Sequence, residues 1–169
     1  MPGERDNGSV PDKAAKLNAG KRKYSLIIPE LIGLLIPDAD NTYHRALRKT
    51  LEALAKLAHA TGKSEFTSYL MESVATAKKV SELNGWSSLD LVTMAMEYGE
   101  AKPEYGRNNW KKGHVWSECV DAAQRHVVAM LRGEEIDADS GNPHLAHVFG
   151  SLHMLMGHFL NDKGVNDIY

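Results

Sequence analysis

Four carboxylate side chains stand in two pairs, each with helical spacing. Glu97 and Glu100 form the first pair, and after 17 intervening residues Glu118 and Asp121 form the second. Carboxylates three residues apart project from one helix face, where they can bind a hard cation such as Mg²⁺ or Mn²⁺. Such an ion neutralises a polyphosphate and lowers the pKa of a bound water. We interpret the four residues as candidate catalytic residues and metal ligands; a solvated charged surface is the alternative.

Residues 107–113, RNNWKKG, place one aromatic side chain among cations and amides. This composition suits a nucleotide, because Trp110 can stack on a base, the two asparagines can read its edge, and the lysines can contact phosphates. The alternative is a solvated loop whose tryptophan turns into the core. Lys102 and Arg125 lie outside this loop and could also contact phosphates. The candidate substrate contacts are therefore Lys102, Asn108, Asn109, Trp110, Lys111, Lys112 and Arg125.

Histidines provide a further group of candidates. His126, His144 and His147 lie at the margins of apolar helix stripes, where they could contact a base or a phosphate. The alternative is that they are hydrogen-bonded residues at the edge of the core. The sequence contains neither an HExxH motif nor a His-Asp dipeptide, which argues against zinc peptidases and against phosphohydrolases built on that dipeptide.

Composition limits the class of protein. The chain has 169 residues, one cysteine and a formal net charge of -2, and no apolar run approaches the roughly 20 residues of a membrane span. We therefore expect a cytoplasmic protein without a membrane partner or a stable nucleic-acid complex. A polyanionic ligand would have to be bound by local charge, because the chain has no strong overall field.

The elements that must position these residues are helical. Residues 1–23 are polar and predict a flexible tail, and residues 24–169 predict a single all-α catalytic domain, a helical bundle. Caps are expected at Asp40 or Asn41 and at Ser87 or Ser88. The helix after Ser88 should bury Leu89, Val92 and Met96 and end at Gly99. The last two helices should cover residues 115–132 and 144–160.

Several blocks of sequence resemble a known family. These are SLIIPE (residues 25–30), EYG (97–99), KPEYGRNNWKKG (102–113) and DAAQRHVVAMLRGEEIDADSGNPHLAH (121–147). They are similar to the phage dATP/dGTP diphosphohydrolases, which belong to the MazG-like all-α nucleoside triphosphate pyrophosphohydrolases. The long last block is the specific signal, whereas ExxE and ExxD pairs alone are common.

The resemblance implies cleavage of a purine deoxynucleoside triphosphate, dGTP or dATP, into a monophosphate and pyrophosphate. It also implies a supply of dGMP for 2-aminoadenine synthesis in a phage, a homo-oligomer, and two or three Mg²⁺ or Mn²⁺ ions bound by the four carboxylates. His126 and His144 join the substrate contacts. If Gly99 ends its helix, Glu100 leaves the face of Glu97, and Glu104, Glu30 or Asp137 would replace it.

Two other functions fit the residues. A phosphohydrolase with a different cleavage point could use the histidines with Asp137. A non-catalytic helical binding module would leave the carboxylates as solvated surface and use residues 107–113 to bind a partner.

Overall fold

The computed structural model describes residues 20–38, 40–102 and 107–169. Within these ranges the chain forms six α-helices and no β-strand, which confirms the prediction of an all-α fold. The helices are α1 (Pro29–Leu35), α2 (Thr42–Ala58), α3 (Lys63–Leu83), α4 (Ser88–Glu100), α5 (Trp116–Leu131) and α6 (His144–Asn161).

The four longest helices form a ring around the core. Helix α2 packs on α3, α3 on α6, α6 on α5, and α5 on α2. Each contributes apolar side chains at helical spacing, and each fully buried leucine or phenylalanine stabilises the fold by roughly 1.5–3 kcal/mol. Among the most buried are Leu47, Leu54, Phe66, Leu70, Val120, Leu145 and Leu155.

Helix α4 lies outside this ring, against α6 and the end of α3. Its buried residue is Leu91, whereas Leu89 is 74% exposed, so the predicted inward position of Leu89 is wrong. A peripheral helix needs only a narrow apolar stripe, and the sequence pattern does not show which stripe is covered. Gly150 of α6 permits close packing, because a Cβ there would lie 2.6 Å from that of Ala95.

Polar side chains cap the first turns of α2 and α4 as predicted, whereas α4 ends later than predicted. The side chain of Asn41 accepts the backbone N–H of His44 at the start of α2, and Ser87 accepts that of Asp90 at the start of α4. The expected stop at Gly99 is wrong, since Ala101 donates its N–H to the Glu97 carbonyl and α4 continues through Glu100.

The C-terminal residues close over the beginning of α5. Asp167 accepts the backbone N–H of Ser117 at 2.9 Å, and the Trp116 indole donates to the Lys163 carbonyl at 2.9 Å. Gly164 has a φ of +77° and lies against the His114 backbone, where a Cβ would clash. Only glycine readily adopts this positive φ and also leaves room for the His114 backbone.

Most of the predicted tail, residues 1–19, lies outside the described residues, as do Ala39 and residues 103–106. The end of the tail is described, and the Arg22 carbonyl accepts a hydrogen bond from Arg125 Nη1 at 3.0 Å. The predicted tail boundary at residue 23 therefore includes residues that contact α5. None of the described helices combines the length and apolarity needed to cross a membrane.

Candidate active site

A pocket of about 700 Å³ is walled by α4, α5 and α6. Its volume falls in the range of small-molecule sites. Seven of the nine residues proposed above as substrate contacts line it, and Lys111 and Lys112 do not. The seven are Lys102, Asn108, Asn109, Trp110, Arg125, His126 and His144.

Positive charge in the pocket comes from three separate parts of the chain. Lys21 precedes the 3₁₀ turn Tyr24–Leu26, which is the first helical turn that the structure describes. Lys102 follows α4, and Arg125 lies on α5. The Lys102 ammonium lies 4.6 Å from the centre of the Tyr98 ring, a cation–π contact that also places Tyr98 in the wall. Lys111 and Lys112 are exposed on the 3₁₀ turn Asn109–Lys112.

Trp110 is half-buried at the pocket rather than turned into the core. Its ring lies 5.0 Å from that of His153 and 6.0 Å from that of His158, both on α6. Gly157 makes this approach possible, because a Cβ there would lie 2.7 Å from the indole. Trp110 therefore rests on α6 while part of its surface faces the pocket.

Three histidines meet on another wall. The Nδ1 atoms of His126 and His144 are 2.9 Å apart, so one ring donates and the other accepts. The ring of His147 stacks on that of His126 with centres 4.8 Å apart. Helices α5 and α6 pack together, and this packing brings the three rings into contact.

The loop between α5 and α6 adds a polar network to this wall. Ser140 Oγ donates to Asp137 Oδ2 at 2.9 Å, and it lies 2.7 Å from His147 Nε2. The distance from His147 Nε2 to Asp137 Oδ2 is 3.3 Å. Neither Ser140 nor Tyr98 was among the candidates, although Ser140 lies in the sequence block that carries the family resemblance. Lys21 was assigned to the tail.

Burial sets the protonation state of this wall. It lowers the pKa of His126 to about 3, assisted by the nearby His147 and His144, and burial also lowers the pKa of His147. Burial alone would raise the pKa of Asp137, but hydrogen bonds from Ser140 and from the Asp139 N–H hold it below its usual value. At neutral pH, His126 and His147 are therefore neutral and Asp137 is an anion.

The two carboxylates of α4 are exposed. They share a face, because the helix runs through Gly99, and Glu100 lies 3.5 Å from Arg107 Nε. Ala95 and Gly99, which line the pocket, are each two residues from Glu97, and residues two apart on a helix point in nearly opposite directions. Glu97 therefore faces away from the pocket.

The two carboxylates of α5 have different surroundings. Asp121 is only 3% exposed, and its Oδ1 accepts the backbone N–H of Ser25 at 2.8 Å. Glu118 is half-buried, four residues before Ala122, and hence on the helix face that lines the pocket. The alternative interpretation, a solvated charged surface, does not hold at Asp121, because the 3₁₀ turn Tyr24–Leu26 covers it.

The structure does not gather the four carboxylates around one point. Helices α4 and α5 each pack against α6, and no three of these carboxylates have ligand atoms within 4.8 Å of one another. Among the described residues, the one group of three His, Cys, Asp or Glu side chains with ligand atoms within 4.8 Å is His114, Cys119 and His158. Of the suggested replacements, Glu30 is exposed at a second pocket and Glu104 lies outside the described residues.

Comparison with known proteins identifies the family. The family model described as dATP/dGTP diphosphohydrolase, N-terminal, matches residues 72–168, more than half of the chain. Neither curated proteins nor solved structures give a match. The matched range contains the pocket residues of α4, α5 and α6 and the loops between these helices. The chain therefore belongs to the dATP/dGTP diphosphohydrolase family of enzymes.

Proposed function

We propose that the pocket binds dGTP or dATP and that the enzyme cleaves it between the α- and β-phosphates, releasing a deoxynucleoside monophosphate and pyrophosphate. One observation carries this assignment: a pocket of about 700 Å³ combines an aromatic ring and amides with three cationic side chains. The family supplies the substrate class. The position of cleavage is our inference.

Each end of the substrate has suitable partners. Trp110 offers a ring face to the purine, and Asn108 and Asn109 offer amide donors and acceptors to its edge. Lys21, Lys102 and Arg125 offset the negative charge of the triphosphate and of its transition state. These cations come from separate elements, so substrate binding would hold those elements together.

The histidines have a separate role in this proposal. A neutral imidazole, such as that of His126, can donate one hydrogen bond and accept another without adding charge. His126 and its partner His144 would orient the sugar or a phosphate oxygen, while the Asp137 anion keeps Ser140 and His147 in position.

We also propose dependence on two or three Mg²⁺ or Mn²⁺ ions, with Glu97, Glu100, Glu118 and Asp121 as ligands. When bound, such ions would neutralise phosphate charge and lower the pKa of the attacking water. Glu118 has the best position, on the pocket face of α5, whereas the α4 pair does not reach the same point in one chain. Binding of the ions by all four carboxylates would therefore require them to move closer together than they lie in this structure.

Product analysis tests the cleavage. The enzyme would be incubated with Mn²⁺ and each of the eight common nucleoside and deoxynucleoside triphosphates, and pyrophosphate, orthophosphate and tripolyphosphate would be quantified. We expect pyrophosphate, with the purine deoxynucleotides turned over fastest. Orthophosphate or tripolyphosphate as the first product would support the competing phosphohydrolase, which the Asp137–Ser140–His147 network in the same pocket favours.

A matched pair of variants tests the carboxylates. Glu118→Gln should raise the Mn²⁺ concentration needed for half-maximal turnover by at least about tenfold, since second-shell or ligand changes commonly cost 10–100-fold in metal affinity. Glu97→Gln, at a second proposed ligand, should also raise this concentration. Equal Mn²⁺ requirements for the wild-type enzyme and for both variants would rule out the quartet.

Two further proposals concern the biological setting. The enzyme would act in the host cytoplasm during phage infection, removing dATP and supplying dGMP for 2-aminoadenine synthesis. It would also act as a homo-oligomer, because the first helical segment exposes several apolar side chains that a second copy could cover. These are Leu26, Ile28, Leu31, Leu34 and Leu35. Light scattering of the wild type and of Leu34→Glu would test association.

A further inference from the structure

Three ligand-type side chains meet in the interior beside the pocket. His114 Nδ1 and His158 Nε2 are 2.8 Å apart, and the thiol of Cys119 completes a group whose ligand atoms all lie within 4.8 Å of one another. All three side chains are buried. Neither the proposed substrate contacts nor the carboxylates discussed above are part of this group.

The group joins parts of the chain that are distant in sequence. His114 lies in the segment before α5, Cys119 in the first turns of α5, and His158 near the end of α6. The His114 carbonyl also accepts the backbone N–H of Val165 at 2.9 Å, and His158 contacts the Trp110 ring. An ion bound by all three side chains would therefore link the loop of residues 107–113, which carries Trp110, to α5 and α6.

The donor atoms determine which ion would suit. Two imidazole nitrogens and one thiolate sulfur prefer a borderline ion such as Zn²⁺ or Co²⁺, whereas Mg²⁺ prefers oxygen ligands. Tetrahedral coordination with bonds of about 2.0–2.1 Å to nitrogen requires the two nitrogens to lie roughly 3.3 Å apart. Small rotations of the two rings from their 2.8 Å contact would provide this separation.

We propose that His114, Cys119 and His158 bind one Zn²⁺-type ion, which holds the Trp110 loop against α5 and α6. Binding replaces the contact between the two imidazoles. The ring that donates in that contact moves its proton to its other nitrogen, and the Cys119 thiol releases its proton to solvent as sulfur binds the ion. Water fills the fourth position, and His114, which also lines the pocket, gives that position a route to solvent.

Cobalt spectroscopy of the full chain tests this site directly. The protein would be treated with a chelator, dialysed and titrated with Co²⁺. We expect one ion per chain, with intense visible d–d absorption from tetrahedral geometry and a near-ultraviolet charge-transfer band from thiolate to cobalt. Cys119 is the single cysteine of the chain, so any thiolate band must come from it. Excess Mg²⁺ should leave both bands unchanged.

Three variants complete the test. Cys119→Ser should lose the charge-transfer band, and His158→Gln should weaken Co²⁺ binding by at least about tenfold. His59→Gln, which removes an exposed histidine that lines a different pocket, should leave the spectrum unchanged. Absence of the thiolate band in the wild type, or its persistence in Cys119→Ser, would overturn the proposal.

Thermal unfolding distinguishes a variant that has lost the metal site from one that has failed to fold. Zn²⁺ should raise the Tm of the wild type, because a ligand that binds the folded state stabilises it. It should not raise the Tm of Cys119→Ser, which circular dichroism would first show to be folded. Equal Zn²⁺-induced shifts in both proteins would assign the ion to other histidines and would contradict the site. The measurement needs no nucleotide, so its result is independent of the catalytic proposal.

Discussion

The Nδ1 atoms of His126 and His144 lie 2.9 Å apart at one wall of the pocket, on helices separated in sequence by a loop. The ring of His147 stacks on the first of them. A second positive charge within this stack would be repelled, and burial removes the water that would solvate it. At neutral pH, His126 and His147 therefore carry no charge in this wall.

Lowering the pH should destabilise the protein, because His126 in this wall has a lowered pKa in the folded state. The pKa of His126 is lowered from 6.5 to about 3, so between these values the unfolded chain binds a proton that the folded chain does not. Stability is then complete above pH 6.5 and is lost as the pH falls, by about 2 kcal/mol between pH 7 and pH 5 from this residue alone. Urea unfolding at pH 7, 6 and 5 would measure it.

His126→Gln removes the titrating group and provides the control. Its free energy of unfolding should change less between pH 7 and pH 5 than that of the wild type, whatever its value at pH 7. The lowered pKa of His147 acts in the same direction in both proteins. Parallel pH profiles for the two proteins would show that His126 is not the responsible group.

Gly150→Ala should separate α4 from α6. The added Cβ would lie 2.6 Å from that of Ala95, and overpacking of this kind typically costs about 1–3 kcal/mol. Gly99→Ala is the matched control on α4, where a Cβ would meet nothing within 4 Å and should stabilise the helix by roughly 0.5–1 kcal/mol. Thermal unfolding should therefore shift in opposite directions for the two variants.

Trp110→Ala should weaken nucleotide binding. Stacking of a base on an aromatic side chain contributes about 1–3 kcal/mol, so the Kd of a non-hydrolysable dGTP analogue should rise about 5- to 150-fold. Trp110→Phe retains a ring face and should recover much of the affinity. If calorimetry gives the same Kd for the wild type and both variants, the base binds elsewhere.

Arg125→Ala should raise the KM for dGTP. Charged hydrogen bonds contribute about 1.5–3 kcal/mol, which corresponds to an increase of roughly tenfold to a hundredfold. Arg132→Ala removes an exposed cation from the end of the same helix and should leave KM nearly unchanged. Similar KM values in the two variants would mean that Arg125 acts on the fold, through its bond to the Arg22 carbonyl, rather than on the phosphates.

Asp121→Ala should destabilise the protein as well as affect turnover. Its carboxylate accepts the backbone N–H of Ser25, and a buried donor without its acceptor costs about 1–3 kcal/mol. Asp121→Asn keeps an acceptor oxygen and should retain most of the stability. Urea unfolding distinguishes the two variants, and equal losses would show that the Ser25 contact does not hold the first turn in place.

Local sequence patterns predicted the helices well. The caps at Asn41 and Ser87, and the bounds of α5 and α6, follow from side-chain oxygens, glycines and apolar spacing that act within one or two turns. Gly99 shows the limit of such signals, since a glycine without a positive φ remains inside α4. The family resemblance depends on contiguous blocks of sequence, so it can be recognised without a structure.

By itself, the sequence determined the all-α class, most helix limits and seven candidate residues that line the pocket. Only the tertiary structure decided that Leu91 rather than Leu89 is buried, that Asp121 is covered by the first helical turn, and that Cys119 meets His114 and His158. The physical reason is that periodicity defines the faces of a helix but not what packs against each face. Contacts between distant elements depend on the three-dimensional packing of the whole bundle.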